Sequence, residues 1–383
     1  MPVPSTSIPP YQIKVRDTSM ISTGELGQLT SLKLNPVFNG VGSFEVSLPF
    51  GHPQTALLVP GGWLEFLSND NTILAGQIRG WKKLEDENSL GVTYTVYGPS
   101  AEQVIADRLA YQVPGQPATS QSASDYDRRN GAAETVVKAY ANLNAGPGAI
   151  TARKTTNLSI ETDLGRGSTI KGSARMDNLL DLCASLCVTG GIGFRVVFSG
   201  NALTFMVYVP TDKSSTAKFG TELGNLVSWE QTSEASKTNC AIVGGQGDGT
   251  ARVFREINDT AAQTAWFNRT ETFIDRRDST DTVELDQAGT EEIANNGPVS
   301  GLSIKTADTP DLMFYRDYFL GDKVSIPVAG VTDILREVSI EWTADKGPST
   351  ESVTGTQSTT GTPKILQKLD ELNKKVAALQ AKQ

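Results

Sequence analysis

The stretch at residues 92–110, VTYTVYGPSAEQVIADRLA, contains the change of periodicity that decides the fold class. Its first half alternates apolar and polar side chains, which predicts a strand with one buried face. In its second half Ser100 and Gln103 have the spacing of a capping box. An apolar stripe with helical spacing follows and consists of Val104, Ile105 and Leu109. The sequence therefore predicts a β-sheet that passes directly into a helix at this point.

The residues before this stretch repeat the strand pattern. Apolar side chains alternate with polar ones at residues 11–15 and 44–48, and turns rich in Gly and Asn separate the segments. Antiparallel strands joined by short turns at this spacing are typical of a sandwich or a barrel. We therefore predict a first tube-like β-barrel domain over residues 11–110, preceded by an extended arm over residues 1–10.

Residues 111–215 combine helical and strand patterns. Apolar residues recur at helical spacing in 132–143 and 175–188, and two glycines end the second segment. Residues 194–198 and 203–209 alternate on either side of Ser-Gly-Asn, which predicts a β-hairpin. We predict an α+β insert with a core of its own that projects from the assembly, so that its deletion leaves the assembly intact.

Strand-like alternation returns after the insert. It covers residues 226–230, 240–243, 252–257, 270–274 and 324–342. These segments predict a second tube-like β-barrel domain over residues 216–345, so the expected fold class is mainly β with an α+β insert. Residues 346–362 are rich in Gly, Ser and Thr without periodicity, which predicts a flexible linker.

Residues 363–383 carry a heptad pattern. The apolar positions, spaced four, three, four and three residues apart, are Ile365, Leu369, Leu372, Val376 and Leu379. An apolar seam with charged flanks predicts a coiled-coil helix. A single amphipathic helix of this length is marginal in water, so we predict that these residues mediate self-association. Docking of the helix on the body of the chain is the alternative.

Composition excludes several classes of function. The chain has 383 residues, a net charge of −9 and an isoelectric point near 4.9. This balance argues against nucleic-acid binding, which needs clustered Lys and Arg to neutralise phosphates. No apolar run is long enough to cross a bilayer, and the N-terminal residues lack the pattern of a signal peptide. We therefore expect no membrane insertion by this chain.

The residues that could carry chemistry form no catalytic constellation. His52 is the single histidine, which excludes sites built on two histidines. The three cysteines Cys183, Cys187 and Cys240 predict small buried thiols rather than a disulfide framework or a zinc site. The glycine-rich residues 244–249 lie between two strand patterns, so they predict a hairpin turn rather than a phosphate-binding loop.

The carboxylates and tryptophans suggest two weaker alternatives, a glycosidase site and a sugar-binding surface. A glycosidase needs two placed carboxylates, and the candidates are Asp308 and Asp311, and Asp275, Asp278 and Asp281. These lie in polar loops, where solvated charge is the better interpretation. The tryptophans that could stack on sugars are Trp63, Trp81, Trp229, Trp266 and Trp342. They fall singly within or beside strands, which favours core or rim packing. We predict no enzymatic activity, no metal and no cofactor.

The order of these segments resembles that of the baseplate hub, or minor tail, proteins of long-tailed phages that infect actinobacteria. The first stretch that carries the resemblance is YTVYGPSAEQVIADRL at residues 94–109. The second is NLLDLCASL at residues 178–186, followed by GGIGFR at residues 190–195. The third is YFLGDKVSI at residues 318–326, followed by the strand pattern at residues 334–342.

The resemblance implies a homotrimer in which two β-barrel domains per chain form a pseudo-sixfold ring that continues the tail tube. It implies a structural virion protein at the tail tip, in contact with the distal tail protein, the tape measure protein and other tail-tip or fibre proteins. Genomic DNA would pass through the ring without specific binding, for which an acidic chain is suited. The alternatives are a phage carbohydrate-binding adhesin and, with less support, a cell-wall glycosidase.

Overall fold

The computed structural model describes residues 6–85 and 92–355, which divide into two compact units. Unit 1 contains the described residues up to Trp229 together with Ile304–Val353. Unit 2 contains Glu230–Ser303 and the described residues from Thr354 onward. None of the described helices is long and apolar enough to cross a membrane.

The secondary structure is dominated by strands. In chain order they are β1 Gln12–Arg16, β2 Ser22–Leu26, β3 Ser31–Asn35, β4 Ser43–Pro49, β5 Trp63–Ser68, β6 Asn71–Gln77, β7 Gly80–Leu84, β8 Thr93–Pro99, β9 Leu109–Ala110, β10 Asp127–Ala132, β11 Leu158–Ile160, β12 Thr169–Ala174, β13 Asp177–Asn178, β14 Gly193–Ser199, β15 Ala202–Tyr208, β16 Leu226–Glu234, β17 Cys240–Gly244, β18 Phe254–Asn258, β19 Glu271–Asp275, β20 Val299–Thr306, β21 Lys323–Ile326, β22 Val331–Thr343 and β23 Gly347–Gly355. The helices are α1 Gln103–Ala106, α2 Ala133–Asn144, α3 Leu179–Gly190, α4 Thr260–Trp266 and α5 Thr282–Asn296. The predicted mainly β class is confirmed.

A sheet of nine strands joins strands from both predicted β regions. Its order is β16-β20-β23-β22-β3-β4-β8-β7, with β21 paired to β22. A second sheet of four strands, β2-β1-β5-β6, contributes to the same core. Phe44 of β4 lies against Phe66 of β5, with ring centroids 5.4 Å apart. Both side chains are almost fully buried, so the two sheets share apolar packing.

The closed barrels predicted from the sequence do not form within the described strands. The first β region does not close on itself, because β3 pairs with β22 from the second region, with Ile340 opposite Leu34. The ends of this sheet are β7 and β16, which do not pair with each other. The described sheets are therefore open, and the prediction of two closed barrels within one chain is wrong for this part of the chain.

The insert contains the predicted helices and hairpin. Helices α2 and α3 form within one to four residues of the predicted ends, and β14 pairs antiparallel with β15 from Gly193 opposite Tyr208 to Ser199 opposite Ala202. The three-stranded sheet β11-β15-β14 extends this hairpin. A period-two pattern joined by a short polar turn was sufficient for this prediction, because hairpin pairing is local.

The insert shares its apolar core with the first β region, so the expectation of a module with an independent core is wrong. Trp63 of β5 packs edge-on against Phe198 of β14, with ring centroids 5.8 Å apart. Ile105 of α1 belongs to the same buried cluster as Tyr140 of α2 and Phe205 of β15. The insert therefore covers apolar surface of the first β region and cannot be removed without exposing it.

Helix α1 is shorter than predicted, because the expected capping box does not form. The hydroxyl of Ser100 accepts the backbone N–H of Gly42 at 2.8 Å, and Gln103 donates to the carboxylate of Asp107 at 2.6 Å. The helix ends at Ala106, Asp107 forms a turn, and β9 then pairs with β13. A tertiary partner for Ser100 thus replaces the local cap that the sequence suggested.

Asn178 caps α3 and also ties it to α1. Its Oδ1 accepts the N–H groups of Leu180 and Asp181, and its Nδ2 donates to the carbonyl of Ala106 at 2.9 Å. We expect Asn178→Ala to lower the free energy of unfolding by about 1–2 kcal/mol. Asn178→Asp, which keeps the cap and loses the donor, should retain part of this stability. Urea unfolding of the three proteins measures both effects, and equal stability of wild type and Asn178→Ala would contradict the assignment.

Unit 2 contains a small sheet, β18-β17-β19, with α5 packed on one face. Its core consists of Val243, Leu285 and Ala288, with Ile257 and Ile274 packed against it. The sequence did not indicate α4 or α5. Helix α5 buries few apolar side chains, so its stripe is too narrow to stand out from the polar residues around it. Asp281, which accepts the N–H of Val283 at 2.8 Å, was its clearest local signal.

Strand β23 lies in the first part of the predicted linker. Ser352, Val353 and Thr354 are buried, and the hydroxyl of Thr354 donates to the carbonyl of Leu302 at 3.5 Å. Thr354 thus has a backbone partner for its buried hydroxyl, whereas the buried hydroxyl of Ser352 has none among the described residues. A strand of this composition lacks the apolar alternation by which strands are identified, and so it resembled a linker. The rest of the predicted linker lies outside the described residues.

Candidate functional site

Three of the five candidate catalytic carboxylates have structural partners, as the following contacts show. Asp308 accepts the N–H of Phe314 at 3.3 Å, and burial raises the pKa of this carboxyl. Asp275 forms an ion pair with Arg277 at 3.1 Å, and Asp281 is the N-cap of α5. Within residues 6–85 and 92–355, no group of three or more His, Cys, Asp or Glu side chains is placed to hold a metal ion.

The histidine and the cysteines also have structural positions. The ring Nδ1 of His52 accepts the N–H of Gln54 at 3.3 Å and caps a short 3-10 turn. Cys183, Cys187 and Cys240 are free and buried, as predicted, and burial raises the pKa of Cys183 to about 12. A thiol with a raised pKa is a poor nucleophile at neutral pH. The glycine-rich residues 244–249 connect β17 and β18, which pair antiparallel, so the predicted hairpin is confirmed.

A cavity of about 300 Å³ lies in unit 1 between β6, the β14–β15 hairpin and the segment before β21. Its polar groups are already bonded within the chain. Glu102 accepts the N–H of Val196 at 2.9 Å, and the hydroxyl of Tyr315 donates to the carbonyl of Ile73 at 2.8 Å. Burial raises the pKa of both groups. The cavity is thus a place where three segments are joined through bonded polar groups.

Four charged side chains form a network next to this cavity. Lys138 on α2 contacts Glu134 at 2.6 Å and Glu161 at 3.0 Å, and Arg166 contacts both carboxylates at 2.8 Å. The side chain of Glu134 is fully buried, and that of Lys138 is 4% exposed. Hydrogen bonds from Arg166 hold the pKa of Glu134 far below its usual range. The network fixes α2 to the strand region around Glu161 with balanced charge.

A second buried ion pair lies within the four-stranded sheet, and its arginine also contacts the hairpin of the insert. Arg16 on β1 contacts Glu65 on β5 at 2.9 Å, and its guanidinium lies 4.1 Å from the ring centroid of Phe198. The same guanidinium donates to the carbonyl of Gly200 in the hairpin turn at 2.9 Å. The insert is therefore held in place by charge-assisted contacts as well as by apolar packing.

The two end strands of the nine-stranded sheet expose large apolar side chains. Trp81 and Leu84 on β7 are 52% and 56% exposed, and Val227 and Trp229 on β16 are 61% and 42% exposed. By contrast, the interior strand β4 buries its apolar side chains almost completely. Exposed large apolar residues on an open sheet edge mark an interaction site or an aggregation hazard. These edges are the candidate interaction surface.

Sequence reasoning did not identify these edges, because it cannot tell which strand ends a sheet. The exposure of each tryptophan depends on its position in the sheets. Trp63 and Trp342 are 4% exposed, whereas Trp81 and Trp229 lie on the edge strands and are 52% and 42% exposed. A weak signal was present in β7, whose sequence GWKKL does not alternate between apolar and polar residues. The predicted oligomerisation residues Ile365, Leu369, Leu372, Val376 and Leu379 lie outside the described residues.

Two solved structures show the same fold over nearly their whole length. The 43 kDa tail protein of prophage MuSo2 from Shewanella oneidensis has a TM-score of 0.58 at 10% identity, covering 90% of this chain and 98% of that one. The tail protein from Neisseria meningitidis MC58 has a TM-score of 0.53 at 12% identity, covering 90% and 96%. At these identities the likeness establishes the fold.

Sequence comparison identifies the family. None of the curated proteins matches this sequence. The family described as Siphovirus ReqiPepy6 Gp37-like protein matches residues 12–356, which is most of the chain and includes both units. This range contains the three stretches on which the resemblance to phage proteins was based. The chain belongs to the Siphovirus ReqiPepy6 Gp37-like protein family.

Proposed function

We propose that this chain is a structural protein of the phage tail and that three copies form the baseplate hub at the tail tip. The observation that carries the proposal is the fold shared with the MuSo2 prophage tail protein across 98% of that protein. A likeness of this extent supports a shared architecture rather than one shared module. Membership of a siphovirus family supports the same placement in the virion.

The hub continues the tail tube and anchors the adsorption proteins beyond it. Its partners are the distal tail protein, the tape measure protein and other tail-tip or fibre proteins. The net charge of −9 supports a conduit for genomic DNA, because an acidic surface repels phosphates and does not retain the passing duplex. The chain acts without a cofactor and without turnover.

Electron microscopy of the purified full chain and of assembled tails tests the hub. A ring with threefold symmetry at the tail tip is the expected result. A monomer without a ring, also within assembled particles, would overturn the proposal. Glycan binding by a monomer would instead favour an adhesin, the second candidate, which the exposed side chains of Trp81, Trp229 and Trp266 support.

The heptad residues are proposed to form a parallel trimeric coil on the axis of the ring. In this register Leu372 is a d position, so Leu372→Asp places like charges in one apolar layer and should weaken trimer formation of the isolated protein by several kcal/mol. Lys374→Asp, at the outward f position, is the matched control and should leave assembly unchanged. Sedimentation of both variants measures the effect. An undiminished Leu372→Asp trimer would show that the coil does not drive assembly.

A further inference from the structure

We propose that the two free edges of the nine-stranded sheet bind each other between neighbouring copies, with β7 of one copy pairing to β16 of the next. The inference rests on the proposed assembly of several copies and adds which strands meet. Within the described chain β7 pairs with β8 alone and β16 with β20 alone. Each edge therefore presents a row of backbone N–H and C=O groups that a further strand can pair with.

The exposure of the edge strands supports a missing neighbour. Successive side chains of a strand point to opposite faces, so a strand that is exposed at every position is covered on neither face. This holds for β7 from Trp81 to Leu84 and for β16 from Val227 to Glu230. Trp81, Leu84, Val227 and Trp229 are each between 42% and 61% exposed. Pairing would bury two tryptophans per interface, a side chain type that dominates interface energetics.

Charge decides which edges can meet. Strand β7 carries Lys83 and also Lys82, which pairs with Glu45 of β4 at 3.1 Å, and β16 carries Glu230. Pairing of β7 with a second β7 would oppose lysines, and pairing of β16 with a second β16 would oppose glutamates. The ammonium group of Lys83 lies 4.1 Å from the ring centroid of Phe50. The favourable combination is β7 with β16, so the partner is a second copy of this chain in head-to-tail contact.

Head-to-tail contact explains why the predicted barrels are open in a single chain. In such an interface each copy contributes a different surface. Successive copies form a closed ring if the rotation between neighbours adds up to a full turn. The strands that would close a barrel then come from the neighbouring copy. In a trimer, three such interfaces leave neither β7 nor β16 as a free edge, which removes the aggregation hazard of these two exposed strands.

Cysteine cross-linking tests the pairing. The full chain is prepared with Leu84→Cys, with Val227→Cys and with both, and is treated with a short bis-maleimide. The native cysteines are buried and serve as the background in the wild-type chain. We expect covalent dimers and trimers on a denaturing gel for the double variant and monomers for each single variant.

The outcomes separate this pairing from the hub itself. Cross-linked dimers of a single variant would show that like edges meet and would overturn the pairing. An uncross-linked double variant that still sediments as a trimer would also overturn the pairing and leave the hub intact. A double variant that sediments as a monomer, like the wild-type chain, would overturn the hub and the pairing together.

Charge reversal provides an independent measurement. Lys83→Glu should weaken self-association about tenfold, because it opposes a glutamate to Glu230. Adding Glu230→Lys to the same chain restores opposite charges and should restore association. Lys305→Glu, at an exposed position of the interior strand β20, is the matched control and should leave association unchanged. Failure of the second change to rescue the first would count against a direct contact between these edges.

Discussion

Deletion of residues 111–215 is expected to abolish cooperative folding of unit 1 rather than to leave the body of the chain intact. The insert covers Trp63 and Ile105, which are 4% and 0% exposed in the full chain. Burial of each large apolar side chain contributes about 1.5–3 kcal/mol. Several such side chains together approach the whole stability of a domain, which is about 5–15 kcal/mol.

The deletion also removes the partners of a buried charge pair. Arg16 and Glu65 are 9% and 6% exposed at their side chains, and the hairpin turn supplies the carbonyl of Gly200 and the ring of Phe198. Without the hairpin, this guanidinium and the apolar residues around it would meet water. We therefore expect the deleted chain to be insoluble or to unfold without a transition.

Circular dichroism and thermal unfolding of the deleted chain measure this result, with the wild-type chain as the reference. The isolated fragment 111–215 is the informative control. A fragment that unfolds cooperatively on its own, together with a deleted chain that keeps a sharp transition, would show that the two parts have separate cores and would contradict the shared one.

Glu134→Ala is expected to lower the free energy of unfolding by about 3–5 kcal/mol, because it leaves the buried ammonium of Lys138 and the guanidinium of Arg166 to share one carboxylate, that of Glu161, instead of two. Lys138 is 4% exposed, and both it and Arg166 contact Glu134 directly. Glu341→Ala is the matched control, since the ion pair of Glu341 with Lys33 is about half exposed at both side chains. Breaking that exposed pair should cost about 0–1 kcal/mol. Denaturant unfolding of both variants gives the comparison.

The same network makes a pH-dependent contribution to stability. Hydrogen bonds from Arg166 and Lys138 hold the pKa of Glu134 below its unfolded value, which is about 4.3. A depressed folded pKa means that the stabilisation is complete above the unfolded pKa and is lost as the pH falls toward the folded pKa. As the pH falls from 7 toward the folded pKa of Glu134, the wild-type chain should lose this stabilisation. Glu134→Gln lacks the carboxylate, so its stability should fall less over the same pH interval. Parallel pH profiles of the two proteins would contradict this role.

The candidate interaction surface could be predicted from the sequence only in part. Strand β16 was visible, since it follows the alternation that begins at Leu226, whereas β7 does not alternate and was not predicted. The position of these two strands at the ends of a sheet was not visible either. It depends on pairings such as that of β3 with β22, whose residues lie some three hundred positions apart in sequence. Loop closure over that distance leaves no local pattern, so the exposure of Trp81 and Trp229 had no counterpart in the sequence.

The sequence by itself determined the elements whose hydrogen bonds are local. Helices α2 and α3 and the β14–β15 hairpin could be predicted because capping, apolar period and turn residues act within a few positions. The tertiary structure alone decided that Ser100 bonds to Gly42 instead of capping α1, that β23 is a strand, and that the insert shares its core with Trp63. These features depend on which distant backbone group or apolar surface is nearby, and burial and hydrogen bonding to such partners override local preference.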